Sequence, residues 1–168
     1  NIGFDTLDAF AQASNAVFTD KRYGAIAEVK LKGHQLILLK PSTYMNLSGN
    51  AVRYWMQQEK IPVEQILVIV DDLALPFGSL RLKPQGSDAG HNGLKNIIQH
   101  LGHDEFQRVK MGVGEKPQGR DLADYVLGHF SKEERSIMDE SAGRAAEAIE
   151  VMITEGPDKA MNLFNKKI

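Results

Sequence analysis

The run "QILVIV" (residues 65–70) constrains this fold more than any other stretch of the chain. Five apolar residues in a row, stopping abruptly at Asp71 and Asp72, predict a short strand buried on both faces. Such a strand needs covering layers above and below it. The rest of the chain supplies them. Phe4, Leu7 and Ala11 recur at helical spacing, so residues 3–14 read as a helix. "YGAIAEVKLKGHQLILLK" reads as a hairpin turning near Lys32-Gly33. Ala51, Val52, Trp55 and Met56 form one face of a second helix that ends near Lys60, ahead of Pro62.

Beyond Asp72 the interleaving continues. "GSLRLKPQG" alternates, with Leu80 and Leu82 on one face and Arg81 and Lys83 on the other. Leu94, Ile97, Ile98 and Leu101 follow the spacing of a half-buried helix. "FQRVKMGVG" alternates again, Val109, Met111 and Val113 lying opposite Arg108 and Lys110. Ser131 and Glu134 form a capping box that opens a long helix striped by Met138, Ala142, Ala145, Ile149 and Met152. Gly156-Pro157 ends it, and a short helix follows through Met161 and Phe164. The expected architecture is a single α/β domain over residues 1–168, three-layered (αβα) with a mixed central sheet.

Composition narrows the function classes. With 42% hydrophobic and 25% charged residues the chain is ordinary for a globular protein, and no apolar run is long enough to cross a bilayer. The absence of cysteine excludes a disulfide scaffold and thiolate chemistry. A net charge of −2 means that a nucleic-acid partner would need a local basic patch. Arg81, Lys83, Arg108 and Lys110, on the polar faces of two strands, are the candidates for it, against the alternative of a solvated sheet face.

Three stretches offer reactive groups. Asp71 sits where an α/β sheet tends to hold ligands, beyond the carboxyl end of a strand. A carboxylate there either caps a turn or accepts a hydrogen bond from a partner such as a histidine. "KPSTYMNLSGNAV" leaves a strand and enters a helix near Asn46 or Ser48, so Asn46 is either an N-cap or an amide facing a crevice. "GSDAGHNGLKNIIQHL" places His91-Asn92 between Gly90 and Gly93 at a helix start. Asn92 is a good N-cap, but a helix N-terminus also favours a phosphate or a developing oxyanion. "GVGEKPQG" lacks dinucleotide-loop spacing and no Walker motif occurs, so no nucleotide cofactor is expected. His100 and His103 read as surface residues, and no metal site is expected.

Taken together, "PSTYMNLSG", "VIVDDLALPFG", "GHNGLKN" and "RVKMGVG" resemble the bacterial-type peptidyl-tRNA hydrolase family, in order and spacing along essentially the whole chain. The resemblance implies hydrolysis of the ester joining a peptide to the 3′ end of tRNA by a cytoplasmic monomer that uses no metal or other cofactor. It implies that Asp71 orients a catalytic histidine and that Asn46 and Asn92 hold substrate and water. Tyr44 and Met45 would contact the terminal nucleotide and peptide, with Gly90 beside them, and His91 would be a second, supporting histidine. Arg81, Lys83, Arg108 and Lys110 would contact tRNA. Asp88-Ala89 departs from the usual small pair and adds a carboxylate near the expected polyanion.

A larger departure is the opening "NIGF". Asn1 and Gly3 match the end of the family's Thr-Arg-His-Asn-x-Gly motif, so the resemblance places the catalytic histidine immediately before residue 1. The expectation is that residues 1–168 lack it, together with a Gly-Asn-Pro-Gly loop and a first strand. On that expectation they are nearly inactive and poorly stable alone, the alternative being that His91 acts as a substitute base. The rival reading is a tRNA- or RNA-binding relative that keeps the cleft without catalysis, distinguished by what is encoded just upstream of Asn1. A cofactor-dependent α/β enzyme is a more distant third.

Overall fold

The computed structural model describes residues 2–114 and 132–165. In chain order these form α1 (Ile2–Ala13), β1 (Thr19–Lys21), β2 (Gly24–Leu31), β3 (His34–Pro41) and a 3-10 turn at Met45–Leu47. Next come α2 (Ser48–Glu59), a second 3-10 turn at Val63–Gln65, β4 (Leu67–Asp72), β5 (Leu80–Lys83) and α3 (Asn92–Leu101). The described chain closes with β6 (Gln107–Gly112), α4 (Lys132–Glu155) and α5 (Pro157–Phe164). The α/β class expected from the sequence is therefore observed, its described strands hydrogen-bonded as two three-stranded sheets, β1-β2-β3 and β4-β6-β5. Asn1 and Ser131, invoked above, lie outside the described residues.

The chain folds into two compact units. One comprises residues 11–68 and 83–108. Its hairpin pairs Gly24 with Pro41 through to Leu31 with His34, and turns at Lys32 (φ 47°) and Gly33 (φ 85°). Two consecutive residues at positive φ match the right-handed twist of the strands, so the turn foreseen at Lys32-Gly33 is the one formed. Lys60 ends α2 in the left-handed region (φ 54°), ahead of Pro62. Ile26, Val29, Leu38, Ala51, Leu94, Ile97 and Phe106 form the apolar core of this unit.

The other unit comprises residues 1–10, 69–82 and 109–168, within the described limits. Its core joins Ile2, Phe10, Val70, Leu80, Leu82, Val109, Met111 and Val113 with the α4 stripe Met138, Ala142, Ala145, Ile149 and Met152. Thr6, buried on α1, donates to the Ile2 carbonyl (2.9 Å) and reaches the Met111 sulfur (3.0 Å), satisfying its hydroxyl inside the core. β5 lies at the edge of its three-stranded sheet, where backbone groups invite further pairing. Asn165 blunts that edge. Its side-chain amide accepts from Leu82 N–H (2.7 Å) and donates to Leu82 C=O (2.8 Å).

The strand covered on both faces is β6, not β4. Five of the six β6 residues are buried, whereas in β4 only Val70 is. Sheet order gives the reason: β6 is flanked by β4 and β5, and β4 is an edge of the described sheet.

Candidate functional site

Within the unit of residues 11–68 and 83–108, two helix starts are held against each other. α2 begins at Ser48 without a side-chain cap from Leu47, the residue before it. Its first turn still needs acceptors for orphan N–H groups. One comes from another helix: Asn96 Oδ1 of α3 accepts from Gly49 N–H at 2.7 Å. The approach requires glycine, because a Cβ at Gly49 would lie 2.5 Å from the Asn96 carbonyl oxygen and 2.6 Å from His100 Cδ2. Ser48 Oγ donates back to the Met45 carbonyl (2.7 Å), tying the 3-10 turn to the helix it precedes.

The loop before α3 is equally determined. Asp88 Oδ1 accepts from Gly90 N–H (2.8 Å) and the Asp88 carbonyl accepts from His91 N–H (2.8 Å), folding the loop on itself. The Asp88 carboxylate thus builds the turn. Ala89 (φ 50°) and Gly90 (φ 83°) complete it. The N-cap of α3 is His91, whose Nδ1 accepts from Leu94 N–H at 3.2 Å. The cap expected at Asn92 is therefore displaced by one residue, and Asn92 is the first residue of the helix, exposed. The Nδ1 lone pair of His91 is thereby engaged in the cap.

Gly93 brings the two starts together. A Cβ there would lie 2.8 Å from Met45 Sδ and 2.9 Å from His91 Cε1. The structure thus gathers Met45, Gly90, His91, Asn92 and the Asn46 turn in one unit. Tyr44 (83% exposed) and Met45 (45% exposed) leave apolar surface beside Asn46, which is itself exposed. Neither Asn46 nor Asn92 makes a side-chain hydrogen bond among the described residues, so both amides face outward with donor and acceptor available. Asn46 lies inside the 3-10 turn, so the N-cap alternative for it does not hold.

Asp71 and Arg81 lie in the other unit, Asp71 half-buried near the end of β4 and Arg81 exposed on β5. Lys83 is half-buried at the end of β5. Asp72 is half-buried, accepts from Ala74 N–H (2.8 Å) and faces Lys110 Nζ at 3.8 Å.

Two of the expected tRNA contacts are corrected. Arg108 is fully buried (0% exposed) and Lys110 is 7% exposed, because β6 is covered on both faces. Arg108 Nη1 donates to the carbonyls of Gly86 (2.8 Å) and Ser87 (3.2 Å), and Nη2 to those of Asp104 (2.6 Å) and Phe106 (3.2 Å). Its guanidinium stacks 4.4 Å from the Phe106 ring centre. Burial lowers its pKa from the ordinary arginine value, with the Asp104 carboxylate opposing that shift, and it remains a cation at any working pH. Arg108 clamps the loop that leads to His91; it does not offer its charge to a ligand. Sequence reasoning overlooked both Arg108's clamp and Asn96, since neither belongs to a local pattern.

Among the described residues no three His, Cys, Asp or Glu side chains gather as a metal site, and no helix is long and apolar enough to cross a membrane. Fold and site define an α/β protein whose candidate reactive surface consists of side-chain amides and an imidazole at two helix starts. The peptidyl-tRNA hydrolase family model matches residues 1–168. The chain is 60% identical to a peptidyl-tRNA hydrolase of Phocaeicola vulgatus, over 99% of this chain and 89% of that protein. It is 57% identical to one of Bacteroides fragilis over the same shares. The crystal structure of peptidyl-tRNA hydrolase from Acinetobacter baumannii superposes with a TM-score of 0.89 at 30% identity, covering 98% of this chain and 85% of that one. The chain belongs to the peptidyl-tRNA hydrolase family.

Proposed function

We propose that the protein hydrolyses the ester joining a peptide to tRNA, acting as a cytoplasmic monomer. The observation that carries this reading is the pair of outward amides, Asn46 and Asn92, on starts held together at Gly93 and Gly49. Ester hydrolysis needs a positioned water, a base and donors for the developing oxyanion. The amides supply donors and acceptors for water and carbonyl. His91 has its Nδ1 engaged in capping and is poorly suited to be the base. Asp71 orients the histidine that serves as base. Tyr44 and Met45 offer apolar surface to the terminal nucleotide and peptide, and Arg81 and Lys83 offer charge to the phosphates.

The test is release of an N-acetylated amino acid from tRNA by the protein. Removing one oxyanion donor typically lowers turnover by about 10²–10³-fold, and Asn92→Ala is expected to fall in or near that range. Asp71→Asn should lower turnover while leaving tRNA affinity in place. Wild-type rates in both variants would refute the assignment. A gene product that binds tRNA but never releases the amino acid would favour a binding relative instead.

A further inference from the structure

The β1–β2 connection carries a group that the site above does not use. Lys21 pairs with Gly24, so Arg22 and Tyr23 are the two residues of a tight hairpin turn. Tyr23 sits at φ 67°, a left-handed conformation that a bulky L-residue adopts at a cost and that glycine or asparagine would adopt easily. Two hydrogen bonds hold it there: Trp55 Nε1 donates to the Arg22 carbonyl (2.8 Å), and Ser42 N–H donates to the Tyr23 carbonyl (2.8 Å). Tyr23 and Tyr54 rings meet edge to face at 5.2 Å. The Arg22 guanidinium lies 5.3 Å from one ring centre and 5.4 Å from the other.

Arg22 is exposed, and among the described residues no carboxylate pairs with it. Asp20 is the acid nearest in sequence, set against Lys21, Arg22 and the exposed Arg53 beside Tyr54. A guanidinium oriented by two aromatic rings keeps its planar fork of donors for an anion, and loses little side-chain freedom when one binds. The site is also in the right place. Ser42, bonded to Tyr23, precedes Tyr44 by two residues, a reach of about 7 Å of extended chain at most.

Resting on the reading that this protein acts on peptidyl-tRNA, we infer that Arg22, held by Tyr23 and Tyr54, grips a backbone phosphate of the single-stranded tRNA end that passes Tyr44. Guanidinium and aromatic groups side by side are what single-stranded RNA recognition uses.

Deacylated tRNA, titrated into the full chain across a salt series, tests this. Arg22→Gln should weaken binding by about five- to tenfold, and the slope of log affinity against log salt should fall by about 0.7, the value for one phosphate contact on a single strand. Arg22→Lys should keep the slope and recover only part of the affinity, since it keeps the charge and loses the fork. A wild-type protein that binds, with an Arg22→Gln variant of unchanged slope, overturns this inference alone. A wild-type protein that does not bind tRNA overturns both this inference and the functional reading beneath it.

Discussion

Replacing Arg108 with methionine separates a structural clamp from a ligand contact. The substitution keeps most of the aliphatic volume in a site that is fully buried, and deletes every donor. Two of the lost bonds are short, to the Asp104 carbonyl (2.6 Å) and the Gly86 carbonyl (2.8 Å). Hydrogen bonds from a charged donor contribute about 1.5–3 kcal/mol each, so these two bracket the loss at roughly 3–6 kcal/mol. Gly86 and Ser87 lie in a partly exposed loop whose carbonyls can regain water, which favours the lower end, about 3 kcal/mol. For a chain of this size that corresponds to a fall in Tm of roughly 6–12 °C. Urea unfolding at constant m-value measures it directly. In the same variant, below its transition, the salt dependence of tRNA binding should be unchanged, because the lost charge never met a phosphate. A stability loss under about 1 kcal/mol, with the salt slope reduced by about 0.7–0.9, would refute the clamp and restore Arg108 as an RNA contact.

Asn96→Ala should cost about 1–3 kcal/mol by leaving Gly49 N–H without its acceptor, while Asn96→Asp keeps an acceptor and most of the stability; thermal unfolding of the two decides. His91→Ala should cost about 0.5–2 kcal/mol through the lost cap, and His91→Ser should recover that stability without recovering ester hydrolysis. Equal hydrolysis by His91→Ser and wild type would show that the ring serves only as a cap. Gly93→Ala, which forces a methyl against Met45 and His91, should lower hydrolysis more than it lowers Tm, a ratio that kinetics and calorimetry on one sample can supply.

The sequence is most legible where structure is local. Hydrophobic spacing placed α1, α2, α3 and the described part of α4 within a residue or two, and Lys32-Gly33 announced the hairpin turn. It is least legible where a polar side chain is paid for by distant backbone. Alternating Arg108 and Lys110 looked like an outward face, yet the carbonyls that accept from Arg108 come from loops that include residues 86–87, and Lys110 faces Asp72 on another strand. Asn96 looked like an ordinary polar position of an amphipathic helix, and its partner lies 47 residues away. At the site, Asn46 and Asn92 were both open to reading as caps. Leaving them outward required knowing that Asn96 serves one helix start and His91 the other.

The position of β6 between β4 and β5 also sets an order of events during synthesis. Both outer strands leave the ribosome before the strand that joins them in the sheet. At about 5–20 residues per second, roughly 1–5 s pass between the end of β5 and the start of β6. During that interval β4 and β5 lack the neighbour they have in the finished sheet, and the nascent chain shows apolar strands to solvent. Whatever shields "QILVIV" in those seconds must be a chaperone, or contacts made by chain already synthesised.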